Sequence, residues 1–348
     1  MLTKNLPSVS IIFPLRNESA FIVSVLTAIL LQDYPSKCLE ILIAEGMSTD
    51  NTRQIISNFE LLYPQLQINV LDNPSKIVST GMNIALRHAK GEIIIRVDGH
   101  TVIAPDYIRR CVEALQRTHA DNVGGKMCAI GYNPFGRAVA LATSTPFGVG
   151  GSRFHYSDKE EWVDTVYMGA WPRGVFEKIG LFDEELVRDQ DDELNYRLRA
   201  AGGKVLLSPT IKSEYAVRST PKALWRQYFQ YGFWKVRVLQ KHPLQMSLRQ
   251  FVPPAFVLAL LVSIPLAFSP KTRSLSAVVP LFYLFANSIM AFWVSFKRGS
   301  KLLGLLPFVF AILHLSYGFG FLLGLINFWN RWGDKIGKTP NWQNEIDG

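Results

Sequence analysis

Acidic residues are missing from one long stretch: Phe251–Asn330 contains no Asp and no Glu. That absence excludes an ordinary solvated surface there, because charge of either sign is confined to short islands such as Lys271/Arg273 and Lys297/Arg298/Lys301. Cysteine is scarce. Cys38, Cys111 and Cys128 lie far apart with no Cys-x-x-Cys, which excludes a disulfide framework and predicts reduced residues in or near the core. Gly150-Gly151 is not followed by Lys-Ser/Thr, so a phosphate-loop ATPase is excluded. No Gly-x-Ser-x-Gly elbow is present, which removes one class of serine hydrolase. The opening MLTKNLPSVS has no apolar core, so no signal peptide is expected and the first domain is expected in the cytoplasm. No internal repeat or low-complexity tract is visible.

What is there divides unevenly. The 348 residues suffice for one large domain plus an appendage. Up to about residue 250 the chain reads as an α/β domain, and beyond it as apolar. The net charge of +9 is concentrated just before the apolar region. Lys212, Arg218, Lys222, Arg226, Lys235, Arg237, Lys241 and Arg249 stand there against a single acid, Glu214. That placement argues against nucleic acid and suits an anionic membrane leaflet, the alternative being a solvated basic surface.

Periodicity predicts strands at Val9–Leu15, Leu39–Ala44, Ile68–Leu71 and Glu92–Val97. Helices are predicted from Ser19 to Gln32 with Ser19 as cap, from Asn51 to Leu62 capped by Asp50, and from Ser75 to Lys90. Alternating strands and helices imply a mostly parallel, Rossmann-like sheet flanked by helices. Ligands of such sheets sit beyond the carboxyl ends of the strands. Those ends carry Arg16-Asn17-Glu18, Glu45-Gly46 and Asp98-Gly99-His100, which should converge on one crevice. Residues 131–170, rich in Gly, Ser and aromatics, read as a loop or a lid. Asp191–Ala201 reads as a helix ended by Gly202-Gly203. Lys222–Lys241 interleaves Trp, Tyr and Phe with Arg and Lys, as a helix lying in the headgroup layer or packed on the domain. Of three apolar segments, Leu275–Phe296 and Leu302–Phe328 are long enough to span a bilayer; Val252–Phe268 is a span or a re-entrant hairpin. The expected division is 1–220 catalytic domain, 221–250 interfacial segment, 251–330 membrane region of two or three spans, and 331–348 polar tail.

Two acidic clusters carry chemistry. Asp98 and His100 are two apart just past a strand, so both can face one cation. A carboxylate with an imidazole suits Mn²⁺ at least as well as Mg²⁺, and such a cation on a diphosphate would neutralise a leaving group. Asp191, Asp192 and Glu193, with Asp189, open a helix. Acids favour that end through the helix dipole, yet four exceed what capping needs, and one could take a proton from a hydroxyl.

Six motifs occur in order: Val-Ser-Ile-Ile-Phe-Pro-Leu-Arg-Asn-Glu, Ala-Glu-Gly-Met-Ser-Thr-Asp-Asn-Thr, Gly81-Met-Asn83 before Ala-Lys-Gly-Glu, Asp98-Gly-His100, Gly180-Leu-Phe-Asp-Glu, and Gln-Asp-Asp-Glu-Leu with Arg197-Leu. Over about residues 8–240 this order resembles the family-2 inverting glycosyltransferases of GT-A fold. With the apolar tail it is most similar to the ExoA-like glucosyltransferases of bacterial exopolysaccharide assembly.

The resemblance implies roles by position. Pro14, Arg16 and Glu18 would line the nucleotide site, with Glu45 where the family has an Asp that reads the uracil edge. Lys76 and Asn83 would lie near ribose or diphosphate. Asp98 and His100 would hold Mn²⁺ or Mg²⁺, His100 replacing a second Asp, with Asp98 also facing the nucleotide sugar. Asp191 would be the general base. Gln190, Asp192, Gln230 and Trp234 would lie on the acceptor side, Phe233 replacing the Arg of the processive Gln-x-x-Arg-Trp motif. The implied reaction moves a sugar, UDP-glucose being the expected donor, onto a polyprenyl-diphosphate-linked oligosaccharide. The implied place is the inner membrane, multi-pass, with the catalytic domain facing the cytoplasm beside other polysaccharide-assembly proteins. Two rival readings are a transferase acting on polyprenyl phosphate itself and a non-catalytic scaffold or sensor that binds nucleotide sugar.

Overall fold

A computed structural model describes residues 6–245, 247–298, 301–334 and 338–342. Residues 1–5 of the expected domain, residue 246 of the interfacial segment, 299–300 of the membrane region, and 335–337 and 343–348 of the polar tail lie outside the described residues.

In chain order the elements begin β1 (Val9–Leu15), α1 (Ile22–Leu30), β2 (Leu39–Glu45), α2 (Thr52–Leu62), β3 (Gln67–Asp72), α3 (Val78–His88) and β4 (Ile93–Arg96). There follow β5 (Thr101–Ile103), α4 (Tyr107–Thr118), β6 (Asn122–Ile130), α5 (Pro134–Thr143), α6 (Pro146–Val149), β7 (Glu161–Val163), β8 (Tyr167–Pro172), α7 (Gly174–Ile179), α8 (Gln190–Ala200) and β9 (Val205–Ala216). The last are α9 (Pro221–Lys241), α10 (Val252–Leu266), α11 (Arg273–Ser276), α12 (Val278–Lys297) and α13 (Leu306–Asn327). They fall into two compact units, one of Met1–Cys128, Tyr156–Tyr215 and Gly337–Gly348, the other of Ala129–His155 and Ala216–Ile336.

In the first unit one sheet runs β3-β2-β1-β4-β8-β6-β9-β5, with β7 on β9. β1 pairs in parallel with both β2 and β4, and β2 with β3. A strand buried on both faces reads as an unbroken apolar run, which is why VSIIFPL and LEILIAE carry so little alternation. Ile11, Phe13, Ile41, Ile43 and Ile95 pack under Ile22, Val25, Leu26 and Ile29 of α1. Each such side chain contributes about 1.5–3 kcal/mol by leaving water. Beyond β4 the sheet turns antiparallel at β8, and β9 pairs antiparallel with β5 and β7. The sheet is therefore mixed, parallel in the half that periodicity made legible. Pro14, which has no N–H to donate, sits past Ile12, the last β1 residue in register with β4.

Three local expectations shift. Ser19 does not cap α1; its N–H donates to Asp50 Oδ2 (3.2 Å), and Phe21 precedes the helix. Cys111 is buried and Cys38 half-buried as expected, but Cys128 is exposed. The 131–170 stretch is not a loop throughout. Asn133 accepts the Gly136 N–H (2.6 Å) and Pro134 opens the first turn, so its composition hid two capped helices, α5 and α6.

In the second unit, Ala138, Val139 and Ala142 of α5 pack with Leu224 of α9, Ala291 and Val294 of α12, and Val309, Phe310 and Leu313 of α13. α9 lies against α13 at very short range. A Cβ on Gly232 would be 2.0 Å from the Tyr317 carbonyl oxygen, one on Gly320 2.0 Å from that of Phe229, and one on Gly324 2.6 Å from that of Phe233. Gly232→Ala is therefore expected to cost about 1–3 kcal/mol through overpacking, read as a lower heat-unfolding midpoint in detergent. At the far end of α9, Arg237 is fully buried; it donates to Gln240 Oε1 (2.6 Å) and toward the Asp334 carboxylate (3.4 Å), while Gln240 donates to the Phe328 carbonyl (2.7 Å). His314 on α13 has both ring nitrogens engaged, Nδ1 with the Tyr283 hydroxyl (2.9 Å) and Nε2 with the Phe147 carbonyl (2.7 Å), so it is structural.

Among the described residues three helices are long and apolar enough to cross a membrane: Leu248–Leu266, Arg273–Lys297 and Leu306–Asn327. The chain then returns to the first unit. Lys338 and Pro340 pair backbone to backbone with that unit's Glu184 and Leu181: the Glu184 N–H donates to Lys338 O (2.8 Å) and the Leu181 N–H to Pro340 O (3.0 Å). The Lys338 N–H donates to Asp183 Oδ1 (3.0 Å), and Trp342 stacks on Phe176 at 6.3 Å.

Candidate active site

The sheet order reverses at β1, whose neighbours β2 and β4 lead away in opposite directions. A crevice opens beyond the carboxyl ends of strands at such a point. The loops there are sewn together. The Asn17 N–H donates to Ser48 Oγ (2.8 Å), Asn17 Oδ1 accepts the Thr49 N–H (2.8 Å), and the Glu18 N–H donates to Thr52 Oγ1 (2.9 Å). Asn17, Met47 and Lys76, each just past a parallel strand, hold left-handed backbone (φ 56°, 53° and 62°). Non-glycine residues keep such a conformation only where their surroundings dictate it, and it concentrates at functional sites.

Glu18 meets the turn after β4. A Cβ on Gly99 would lie 2.6 Å from Glu18 Cγ, so any side chain there would have to displace that of Glu18. Across it, Glu18 Oε1 stands 3.0 Å from His100 Nδ1. A carboxylate on Nδ1 favours the tautomer protonated there and leaves Nε2 as the ring's lone-pair donor, the arrangement that supports a metal-ligating histidine.

The centre of the site is Arg96, the last residue of β4 and only 5% exposed. Its Nε donates to Asp98 Oδ1 (2.7 Å) and its Nη1 to Asp191 Oδ1. One guanidinium thus joins the two acidic clusters. Burial alone would raise the Asp98 pKa, but Arg96, His100 and the Tyr167 hydroxyl hold it below the ordinary carboxylate range. Asp191 goes the other way. Burial, with the charges of Asp98 and Asp192, pushes it up to about 6 against the pull of Arg96. Two carboxylates on one cation therefore differ in proton affinity, the pattern that assigns acid–base roles.

α8 is held firmly enough to aim Asp191. Glu193, 1% exposed, pairs with Arg197 (2.7 Å), whose Nη2 also donates to the Leu181 carbonyl (2.7 Å). Glu193 is thus structural. Asp192 is half-buried beside Asp191, and Gln190 is 5% exposed with no hydrogen-bond partner for Oε1 among the described residues.

The other predicted residues are placed as follows. Pro14 is buried in β1, Arg16 is exposed at its end, and Lys76 is exposed past β3. Glu45 is fully buried, its Oε1 accepting the Ser48 N–H (2.7 Å) and its Oε2 paired with Arg53 (2.7 Å). Against burial, those bonds hold its pKa below the usual range. Both of its oxygens are thus engaged within the protein. Asn83 is enclosed too. It is 1% exposed, and its amide clamps Phe182, accepting the N–H (2.9 Å) and donating to the carbonyl (2.9 Å). Asn83→Ala should cost about 1–3 kcal/mol in unfolding experiments by stranding that peptide, and leave nucleotide affinity unchanged in a titration. Gln230 and Trp234 lie on α9 in the second unit, where the Trp234 ring packs against Phe328 at 5.8 Å.

Arg96 and Tyr167 had no predicted role. Arg96 left one trace, a charge closing an otherwise apolar strand. Tyr167, whose hydroxyl also meets Thr101 Oγ1 (2.5 Å), left none.

Among the described residues no three His, Cys, Asp or Glu side chains gather as a cation cage. Asp98 and His100 offer one carboxylate and one imidazole. That set fits a divalent cation that takes its remaining ligands from substrate phosphates.

Residues 10–180 match the family described as glycosyl transferase family 2. Over 327 residues the chain is 29% identical to the succinoglycan biosynthesis protein ExoA of Rhizobium meliloti (strain 1021), covering 92% of this chain and 96% of that protein. Over 324 residues it is 28% identical to the dolichyl N-acetyl-alpha-D-glucosaminyl phosphate 3-beta-D-2,3-diacetamido-2,3-dideoxy-beta-D-glucuronosyltransferase of Methanococcus voltae, covering 91% and 97%. The mannosyltransferase PcManGT from Pyrobaculum calidifontis, solved with GDP-Man and Mn2+, superposes with a TM-score of 0.59 at 19% identity, over 90% of this chain and 88% of that one. At that identity the likeness concerns the fold.

Proposed function

From a glycosyl transferase family 2 domain at residues 10–180 and a GT-A-like fold, we propose that this chain transfers a sugar from a nucleoside-diphosphate sugar to a lipid-linked saccharide at a membrane, with inversion. The observation that carries this reading is Arg96, which joins Asp98 and Asp191 on one guanidinium at the mouth of the sheet. Asp191 accepts the proton of an acceptor hydroxyl. That oxygen bonds to the anomeric carbon from the face opposite the diphosphate, and the bond to the diphosphate oxygen breaks with its electron pair. Asp98 and His100 Nε2 would hold a divalent cation, which when bound supplies positive charge to the leaving diphosphate. Arg96 keeps Asp98 ionised for that task and Asp191 oriented. The relative named for a dolichyl-linked sugar phosphate supports a lipid-linked acceptor, and the one named for succinoglycan supports a role in polysaccharide synthesis; the proposed donors are UDP- or GDP-sugars, UDP-glucose first. The apolar helices support a reaction at the bilayer, and in this proposal the catalytic unit faces the cytoplasm.

The test is nucleotide release by purified protein with membrane lipid extract, from a panel of UDP-, GDP- and TDP-sugars, with Mn²⁺, Mg²⁺ or chelator. Release from one donor that needs both metal and lipid is the expected result. Donor binding without release from any extract would instead make the chain a nucleotide-sugar sensor.

A further inference from the structure

The chain leaves the first unit before three apolar helices and re-enters it after them, at Lys338–Trp342. A segment hydrogen-bonded to Asp183, Glu184 and Leu181 is on the same side of any bilayer as those residues. A chain that starts and finishes on one face crosses an even number of times. Three candidate spans cannot then all cross.

The second unit shows which one stays behind. In the windows of α10 and α12, 17% of residues are buried within the protein; in that of α13, 50% are. α10 and α12 turn Val262, Ile264, Phe282, Phe285 and Phe292 outward, each more than half exposed. α13 instead packs on α9 through the glycine seam and on α5, and His314 engages the Phe147 carbonyl. Charge agrees. A hairpin of α10 and α12 leaves Lys271 and Arg273 on the far face, and Arg249, Lys297, Arg298, Lys301 and Arg331 on the near one. Basic residues accumulate on the cytoplasmic side of spanning segments. The candidate spans that contain α10 and α12, Leu248–Leu266 and Arg273–Lys297, run 19 and 25 residues, where about 20 are needed.

We infer that α10 and α12 cross as a hairpin, that α13 lies on the catalytic side without crossing, and that the tail returns to the catalytic unit. This rests on the reading that the apolar helices enter a membrane, and its test does not use activity. Single cysteines are placed at Leu61, Lys271, Lys301 and Asn341, all exposed, in a full-length chain carrying Cys38→Ser and Cys128→Ser, with buried Cys111 kept. Each is labelled with a membrane-impermeant maleimide from either face, in intact cells and in inverted vesicles. The expected pattern is Leu61→Cys, Lys301→Cys and Asn341→Cys on one face and Lys271→Cys on the other. Asn341→Cys opposite Leu61→Cys, Lys301→Cys opposite Leu61→Cys, or Lys271→Cys failing to label from the far face would each overturn it. Recovery of the protein in the soluble fraction would remove the membrane premise along with it.

Discussion

Asp191→Asn should lower transfer by about 10²–10⁴-fold, the usual contribution of a positioned base, while donor binding persists. The substitution keeps the shape and a hydrogen-bonding oxygen for Arg96 but cannot accept the proton. The wild-type pH profile should carry the same group's signature. Asp191 is pushed up to about 6, and a base works only when ionised, so kcat/KM should climb as pH rises through about 6 and level off above it. That rising limb belongs to the Asp191 carboxylate and should vanish from whatever activity the variant retains. A phosphate acceptor, already ionised, hardly needs a base. Near-full activity of Asp191→Asn would therefore sink the hydroxyl-acceptor mechanism and favour transfer to a lipid phosphate.

Arg96→Ala should be as damaging to the fold as to the reaction. It leaves Asp98 and Asp191 facing each other without the cation between them, and breaking a buried ion pair costs about 3–5 kcal/mol. One carboxylate is then expected to take up a proton, so stability should recover partly as pH falls. Arg96→Lys keeps the charge but loses the fork, so a point charge replaces two directed bonds. It should fold better than Arg96→Ala and still transfer poorly. Heat unfolding and nucleotide release, measured on both variants, check the pair. Full activity in Arg96→Lys would show that the bridge between the clusters is not needed.

The parallel half of the sheet was legible because strands buried on both faces announce themselves as β-branched runs, and the acids past their ends marked the crevice. Asp98 and Asp191 were legible as separate clusters. Their union was not, because the bond between them passes through a residue 95 positions away from one partner and two from the other. Glu45 and Asn83 were expected at ligand contacts, and the fold gives them partners of their own in Arg53 and Phe182. Periodicity does not reveal which polar groups the protein will satisfy by itself. The short helices in 131–155 escaped for another reason, since Gly- and Pro-rich sequence gives no 3.6-residue signal over so few turns. The returning tail was not legible, because much of its pairing uses backbone groups that every residue has and its side-chain partners, Asp183 and Phe176, lie more than 150 residues away.

That tail also sets a clock. Chains emerge from the ribosome N-terminus first, at about 5–20 residues per second. Asp191 is made well before Lys338, so for a time on the order of 10 seconds the segment leading into α8 lacks the partners it has in the finished protein. The apolar helices are made in that interval. The first unit can be completed only after the apolar helices have been made, which ties the maturation of the candidate site to a part of the chain synthesised long after its own residues.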